Sequence, residues 1–251
     1  MRYGMSPAQG LPTVVKNLLI INGIMFLLKV AHPFGPSADG LDAVLGLHFP
    51  GSPLFKPWQL ITHMFMHGGL MHLLLNMLAL FMLGPRVEYR WGSQRFLTYY
   101  LLCGLGAAVI YLGWQWYNAH DALAALTPDQ LTDVRQQLLR IVNDGDTRGF
   151  RDETMNEVLL LYYSPMVGAS GAIFGVLLAF GMLYPNVELM TFIGLFPIPM
   201  KAKWFVLMYG AIELFTGLQN NPLDNTAHFA HLGGMLIGFF LVRHWERRHI
   251  F

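Results

Sequence analysis

Apolar residues are concentrated in six stretches of the chain, and the loops between them carry most of the charges. Each stretch is close to the roughly 17–25 residues that cross a bilayer as a helix. The stretches lie at about residues 15–32, 64–84, 95–117, 166–184, 203–219 and 227–243. Several contain His, Asn, Ser or Gly, and polar groups are costly in lipid unless neighbouring helices shelter them. The pattern therefore predicts an all-α polytopic membrane protein whose six helices form a compact bundle.

The composition fits a membrane protein better than a soluble domain. Hydrophobic residues make up 54% of the 251 residues and charged residues 12%, whereas soluble domains contain about 25% charged residues. No Gly/Ser-rich or Pro-rich linker divides the chain, so residues 1–251 are interpreted as a single membrane domain. The net charge of +1 argues against a nucleic-acid partner. The single cysteine, Cys103, leaves no pair for an intrachain disulfide.

Basic residues indicate how the helices are oriented. Arginines and lysines at both termini and in the loops near residues 85–95 and 200–203 fall on one side of the six-helix plan. By the positive-inside rule this side is cytoplasmic. The residues before the first stretch lack the features of a cleaved signal peptide, so that stretch is expected to remain as a membrane span. We therefore expect a multi-pass protein of the plasma (inner) membrane, with both termini in the cytoplasm and the start of the fourth stretch near the outer surface.

Residues 118–158 form a polar insertion, which this orientation places on the outer face. Thr127 and Pro128 make a good helix start, with a capping hydroxyl followed by proline at the first helical position. Apolar residues then recur at helical spacing as far as Asp144-Gly145; they are Leu131, Val134, Leu138 and Ile141. The insertion is predicted to contain an amphipathic helix. Its sequence leaves open whether it is a solvated or interfacial connector or has a contacting or gating role.

Polar side chains cluster in HMFMHGGLMHLLLNM, residues 63–77. His72 and Asn76 are four residues apart, so both project from one face of the second helix. His63 and His67 repeat that spacing nearer the outer surface. A metal site has little support, because the HExxH motif is absent and no Asp or Glu occurs between residues 43 and 87. His63 and His67 are predicted to organise the loop through hydrogen bonds.

The segment PMVGASGAIFG, residues 165–175, places Ser170 among glycines where a loop becomes a helix. Backbone N–H groups at a helix start lack intrahelical partners and can donate to an anion. The pattern differs from the G-x-S-x-G elbow of soluble hydrolases, since the second residue after Ser170 is Ala172. Taken alone, the motif at 168–171 also fits close packing of helices through small residues.

The sixth stretch changes this balance through AHFAHLGGMLIG, in which His231 is followed by Gly234 and Gly238. If this glycine face packs on the small-residue face of the fourth helix, Ser170 and His231 lie side by side. A serine beside an imidazole is the minimal activated nucleophile. His228, one turn nearer the outside, is a competing candidate for the base, and the glycine spacing favours His231.

His72 and Asn76 are candidates for stabilising the oxyanion of an acyl-transfer reaction. Side-chain donors in acyl-transfer sites stabilise the oxyanion that develops when a nucleophile attacks a carbonyl. Two such donors on a third helix would serve this purpose beside Ser170.

Together these motifs resemble the rhomboid intramembrane serine proteases, of the bacterial type with six transmembrane helices. The resemblance rests on H-x(4)-H-x(3)-N at His67, His72 and Asn76, on GxSG at 168–171, and on H-x-x-G-x-x-x-G at 231–238. The turn after the second helix also looks like that of the family, at Gly84, Glu88, Arg90 and Gly92. The similarity covers about residues 13–243.

The resemblance implies an intramembrane serine endopeptidase with a catalytic dyad, in which Ser170 is the nucleophile and His231 the general base. It implies an oxyanion hole made of His72, Asn76 and the Ser170 amide. The supporting positions are Gly168, Gly171, Phe174, Gly234 and Gly238. The implied partners are single-pass transmembrane substrates and membrane lipid, and no metal or organic cofactor is expected.

Three features depart from the family pattern. Trp58 is followed by Gln59, where many members have Trp-Arg, and Phe174 stands where some members have a tyrosine. The insertion is longer than the minimal family plan. Because a dyad lacks the acid that orients the histidine, packing against Phe174 and the sixth-helix backbone is expected to set the His231 tautomer.

Two other functions fit part of the pattern. A catalytically silent rhomboid-like protein that binds transmembrane helices would need neither Ser170 nor His231. A histidine-lined transporter of metal or protons would need carboxylates among the histidines. Glu213 is the clear acid within the six stretches, and it is interpreted as a packing or hydrogen-bonding residue.

Overall fold

The computed structural model describes residues 10–31, 40–146, 148–193, 196–219 and 227–246. Its helices are α1 (Thr13–Ala31), α2 (Gly40–Leu45), α3 (Gln59–Thr62), α4 (Leu70–Trp91), α5 (Ser93–Ala125), α6 (Pro128–Asp144), α7 (Glu153–Tyr163), α8 (Ser170–Leu183), α9 (Ala202–Gln219) and α10 (His228–Glu246). A 3-10 turn at His63–Phe65 follows α3, and strands β1 (Glu188–Ile193) and β2 (Phe196–Lys201) lie between α8 and α9. Three basic residues used to infer the orientation, Arg2, Arg247 and Arg248, lie outside the described residues.

Each of the six predicted stretches coincides with one helix: α1, α4, α5, α8, α9 and α10. The predicted all-α bundle is therefore confirmed. Among the described residues, α1, α4 and α5 are long and apolar enough to cross a membrane. The predicted start of the second helix near residue 64 was wrong, because Gly68 and Gly69 disfavour helix and Gly69 is extended, so α4 begins at Leu70.

Helix α8 is the centre of the bundle. It contacts α4, α5, α9 and α10, and nine of its 14 residues are buried. The contact with α10 is close because both helices present glycine: a Cβ built on Gly234 would lie 1.8 Å from the carbonyl oxygen of Gly171. One turn further, a Cβ on Gly238 would lie 2.4 Å from the hydroxyl of Tyr99. The backbones can approach this closely only because these positions carry no side chain.

The insertion contains the predicted amphipathic helix, α6. Thr127 and Gln130 form a reciprocal capping box: the Gln130 amide donates to the Thr127 hydroxyl (3.3 Å), and the Thr127 amide donates to the Gln130 side chain (2.9 Å). A second helix, α7, was not predicted. The apolar sides of both helices pack together with a residue of the loop between α1 and α4, in a cluster that contains Phe49, Val134, Leu138, Val158 and Tyr162. The insertion is therefore attached to that loop.

The loop between α1 and α4 is held by one buried glutamine. The side-chain nitrogen of Gln59 donates to the carbonyls of Val44 (3.2 Å) and Leu54 (3.0 Å), and the side chain is fully buried. A neutral hydrogen-bonding group thus stands at the position of the expected arginine. The same loop is tied to the segment before α8, because Leu47 and Met166 exchange two backbone hydrogen bonds of 2.9 Å.

A β-hairpin that was not predicted joins α8 to α9. Its strands are antiparallel, with Glu188 opposite Lys201 and Met190 opposite Pro199. Pro197 and Pro199 weaken the strand signal in the sequence, because proline cannot donate to a ladder. They are tolerated here because a two-stranded sheet consists of edge strands.

The carboxylate of Glu88 joins the end of α4 to the start of α1. It accepts the amides of Val14 (2.9 Å) and Val15 (2.8 Å), and the hydroxyl of Ser93 donates to it (2.7 Å). The first amides of a helix have no intrahelical acceptor, and a negative charge is favourable there. Glu88 thus satisfies two amides that would otherwise be buried without partners.

We expect Glu88→Ala to lower the free energy of unfolding by about 2 kcal/mol, because two amides at the α1 start lose their acceptor. Thermal unfolding in detergent measures the effect as a lower Tm than that of the wild type. Glu157→Ala is the matched control, since Glu157 is exposed on α7. Equal Tm values for the two variants would contradict this role of Glu88.

Candidate active site

Ser170 is the first residue of α8, and the chain reaches it through a glycine that no other residue can replace without strain. Gly168 has a φ of +133°, and a Cβ there would lie 2.9 Å from the Cε1 of His72 and 3.5 Å from the Ser170 Oγ. The Gly168 amide donates to the carbonyl of His63 (2.9 Å). The missing side chain leaves room for the His72 ring beside the serine hydroxyl.

The imidazole of His231 lies against this hydroxyl. Its Nε2 is 2.8 Å from the Ser170 Oγ, and the residue is buried in the first turn of α10. The ring of Phe174 stacks on it with centroids 4.2 Å apart and planes 6° apart. His231, rather than His228, is the α10 histidine placed on Ser170.

A carboxylate completes this cluster, and its contact with His231 was not predicted. Oε2 of Glu213 on α9 is 2.9 Å from the Nδ1 of His231 and 2.6 Å from the Nδ1 of His228. The expected stacking of Phe174 on His231 is present, and in addition an acid contacts the other ring nitrogen. The one available signal was an acid inside an apolar stretch, which is costly unless it is paired.

His72 and Asn76 line the same cavity as Ser170. This cavity has a volume of about 870 Å³ and reaches Ser170 and His231. The Gly68 amide donates to the Nδ1 of His72 (3.4 Å), which leaves the Nε2 edge of the ring toward Gly168. The side-chain nitrogen of Asn76 donates to the His72 carbonyl (3.0 Å). Both candidate oxyanion donors thus share one cavity with the serine.

The segment between the insertion and α8 forms part of the cavity wall. Helix α7 ends at Tyr163, and Ser164 and Pro165 follow it. All three residues line the cavity. Both roles considered for the insertion, residues 118–158, stay predictions, and it is the segment after the insertion that lies at the cavity. Helix α6 and the apolar side of α7 pack on the loop between α1 and α4.

His63 and His67 make their described contacts around the loop before α4. The ring Nδ1 of His63 is 2.8 Å from the Gln59 carbonyl. Burial lowers the pKa of His63, which lies ahead of α4, to about 4. The ring of His67 packs edge-on against His72 at 5.1 Å, and its carbonyl accepts from Lys29 (2.8 Å). The predicted hydrogen bond within the loop is present for the His63 ring, whereas the His67 ring packs against His72 without one.

Comparisons with known proteins agree with this architecture. Residues 55–245 match the family model of the Rhomboid domain. RHOMBOID-like protein 2 of Arabidopsis thaliana is 30% identical over 215 residues, which are 85% of this chain and 50% of that protein. RHOMBOID-like protein 5 of the same plant is 30% identical over 184 residues, which are 73% of this chain and 42% of that protein. Rhomboid protease AarA of Providencia stuartii is 27% identical over 185 residues, which are 72% of this chain and 53% of that protein.

The family model covers well over half of the chain, and the chain therefore belongs to the rhomboid family. With its apolar helices, it is a multi-pass integral membrane protein. The chain spans about half the length of the curated relatives it matches. One of these relatives is named a protease and two are named only as rhomboid-like, so the chemistry has to be argued from Ser170 and its neighbours.

We expect Gly168→Ala to lower the Tm and the rate at which a fluorophosphonate labels Ser170. The added Cβ meets the His72 ring at a φ that favours glycine, which costs roughly 1–3 kcal/mol. Gly113→Ala is the matched control, because Gly113 lies within α5 and a Cβ there has no neighbour within 4 Å. Alanine in a helix is better than glycine by about 1 kcal/mol, so the control should keep or raise its Tm. Equal behaviour of both variants would mean that Gly168 is not under this constraint.

Proposed function

We propose that the chain is an intramembrane serine endopeptidase that hydrolyses peptide bonds in or near transmembrane segments of single-pass proteins. The observation that carries the proposal is the 2.8 Å contact of the His231 Nε2 with the Ser170 Oγ at the wall of a cavity. The relative named Rhomboid protease AarA also supports it.

The mechanism follows from these contacts. The Ser170 hydroxyl attacks the substrate carbonyl while its proton passes to the Nε2 of His231. The oxyanion accepts hydrogen bonds from His72, Asn76 and the Ser170 amide, which lies at the start of α8. His231 then donates the proton to the leaving amine, and water that His231 activates hydrolyses the acyl-enzyme.

The short α8 accounts for the water that this reaction needs. A helix of 14 residues is about 21 Å long, less than the about 30 Å of a bilayer core. If α8 ends at one face of the membrane, Ser170 is recessed from the other and the cavity supplies water from that side. The arrangement of arginines and lysines favours an outward-facing cavity and cytoplasmic termini, and we propose the plasma (inner) membrane as the location.

A second candidate has one specific observation in its favour. Glu213, His228 and His231 bring three potential metal ligands within 4.8 Å of one another. A carboxylate among the histidines is what a metal or proton pathway requires. The contact of His231 with Ser170 favours hydrolysis, and a chelator separates the two functions.

We expect Ser170→Ala and His231→Ala each to lower turnover of a single-pass reporter by at least about 10³-fold, because each removes one half of the dyad. The assay uses purified protein in detergent, with and without a chelator, and equal Tm values confirm that the variants are folded. Wild-type cleavage should not respond to the chelator.

Three results would contradict this proposal in different ways. Activity that persists in His231→Ala and is lost in His228→Ala would move the base by one turn. Loss of activity with the chelator would favour the metal function. No cleavage of any reporter by the wild type would favour a silent protein that binds transmembrane helices.

We also expect reporters with a weak helix at the outer membrane boundary to be cut faster. A helical substrate hides its carbonyls, so it must unwind to reach Ser170. Two Leu→Gly exchanges in the reporter lower the cost of unwinding by roughly 1.5 kcal/mol, and cleavage should be about tenfold faster. Equal rates for the Gly-containing and the uniform leucine reporter would show that unwinding does not limit cleavage.

A further inference from the structure

We propose that Glu213 is the positioning residue of this site, so that Ser170, His231 and Glu213 act as a triad rather than a dyad. The inference rests on the proposed protease function and concerns how that site selects its histidine tautomer. Three contacts carry it: Ser170 Oγ to His231 Nε2 at 2.8 Å, His231 Nδ1 to Glu213 Oε2 at 2.9 Å, and His228 Nδ1 to the same oxygen at 2.6 Å.

The packing of α9 on α10 brings the carboxylate to the histidine. Gly217 lies four residues after Glu213, on the same face of α9. A Cβ on Gly217 would lie 3.0 Å from the Cβ of His228 and 3.0 Å from the ring of Phe229, so the helices approach closely at this point. Glu213, one turn away, then reaches the first turn of α10.

The burial of Glu213 gives its two contacts their energetic weight. The residue is 8% exposed, and a buried carboxylate is costly unless donors surround it. The two imidazole nitrogens provide such donors, since one ionised oxygen accepts both Nδ1–H groups. The Thr216 hydroxyl, which donates to the Ile212 carbonyl (2.7 Å), lies 3.1 Å from the Nδ1 of His228 and holds that second ring in place.

The consequence for the chemistry concerns one proton. With its hydrogen on Nδ1, His231 donates to Glu213 and presents a lone pair on Nε2 to the Ser170 hydroxyl. The opposite tautomer would present a donor and could not take the serine proton. After transfer, His231 carries a positive charge 2.9 Å from the carboxylate, which stays ionised, and the proton leaves with the substrate amine. Stacking by Phe174 fixes the plane of the ring but does not choose between its nitrogens.

The test compares Glu213→Gln, Glu213→Asp and the wild type by reporter cleavage. Glutamine keeps the volume and can donate to Nδ1, which favours the wrong tautomer. We expect kcat to fall on the order of 10³–10⁴-fold with little change in KM. The shorter aspartate keeps the charge and should restore part of the loss. Glu157→Gln removes a carboxylate from the exposed surface of α7 and is the matched control.

A double-mutant comparison separates positioning from a structural role. If Glu213 acts through His231, Glu213→Gln added to His231→Ala should cause less than about twofold further loss. A further loss as large as that in the wild-type background would overturn the proposal. So would a His228→Ala variant that loses as much activity as Glu213→Gln, because the carboxylate would then act by tying α9 to α10. Full activity of Glu213→Gln would overturn it directly.

A readout independent of activity keeps this inference distinct from the proposed function. In protein with ¹⁵N-labelled histidine, a proton signal on Nδ1 that His231→Ala removes should be present in the wild type and lost or shifted in Glu213→Gln. If the wild-type proton lies on Nε2 instead, Glu213 does not position His231 as proposed, even if reporters are cleaved. If no reporter is cleaved, the protease proposal fails while this signal still reports whether Glu213 orients His231.

Discussion

The approach of α10 to α8 depends on glycines, and the contact between Ser170 and His231 depends on that approach. Gly234 faces the Gly171 carbonyl so closely that any Cβ would overlap it. Gly171 directly follows Ser170, and Gly234 lies about one turn after His231, so this contact limits how far apart the two side chains can be. In lipid, helices associate by packing and hydrogen bonds rather than by the hydrophobic effect. A close glycine contact is therefore the interaction best able to hold Ser170 and His231 at hydrogen-bonding distance.

Around this contact, the buried polar groups divide into those that hold the frame and those that line the cavity. Glu88 and Gln59 satisfy backbone groups at the start of α1 and in the loop before α4. Their polar atoms hydrogen-bond to backbone groups that hold the helices and the loop in place, here called the frame. His72 and Asn76 bond one side to the backbone and leave another toward the cavity. The frame is thus complete without the cavity groups, which leaves these groups available for a substrate.

The sequence was informative wherever the signal is local. Hydrophobic stretches predicted the six main helices, and Thr127-Pro128 predicted the start of α6. The glycine spacing favoured His231 over His228 because residues about four positions apart lie on the same face of a helix. The contact of Glu213 with His231 could not be read in this way, since it depends on the register between α9 and α10. Helix α7 and the β-hairpin were missed because each is short and lacks a clear period.

The combination of Phe174 with Glu213 makes physical sense of a departure from the family pattern. A tyrosine that follows the serine by four residues can stack on the histidine and also offer a hydroxyl. Phe174 only stacks, and an apolar ring stacked on the imidazole does not favour a proton on one ring nitrogen over the other. In this chain the choice between them falls to a group at the ring edge. Glu213 meets the Nδ1 edge from α9, while Ser170 meets the Nε2 edge from α8. The orientation of the histidine is thereby divided between two helices, one that fixes the plane of the ring and one that fixes its proton.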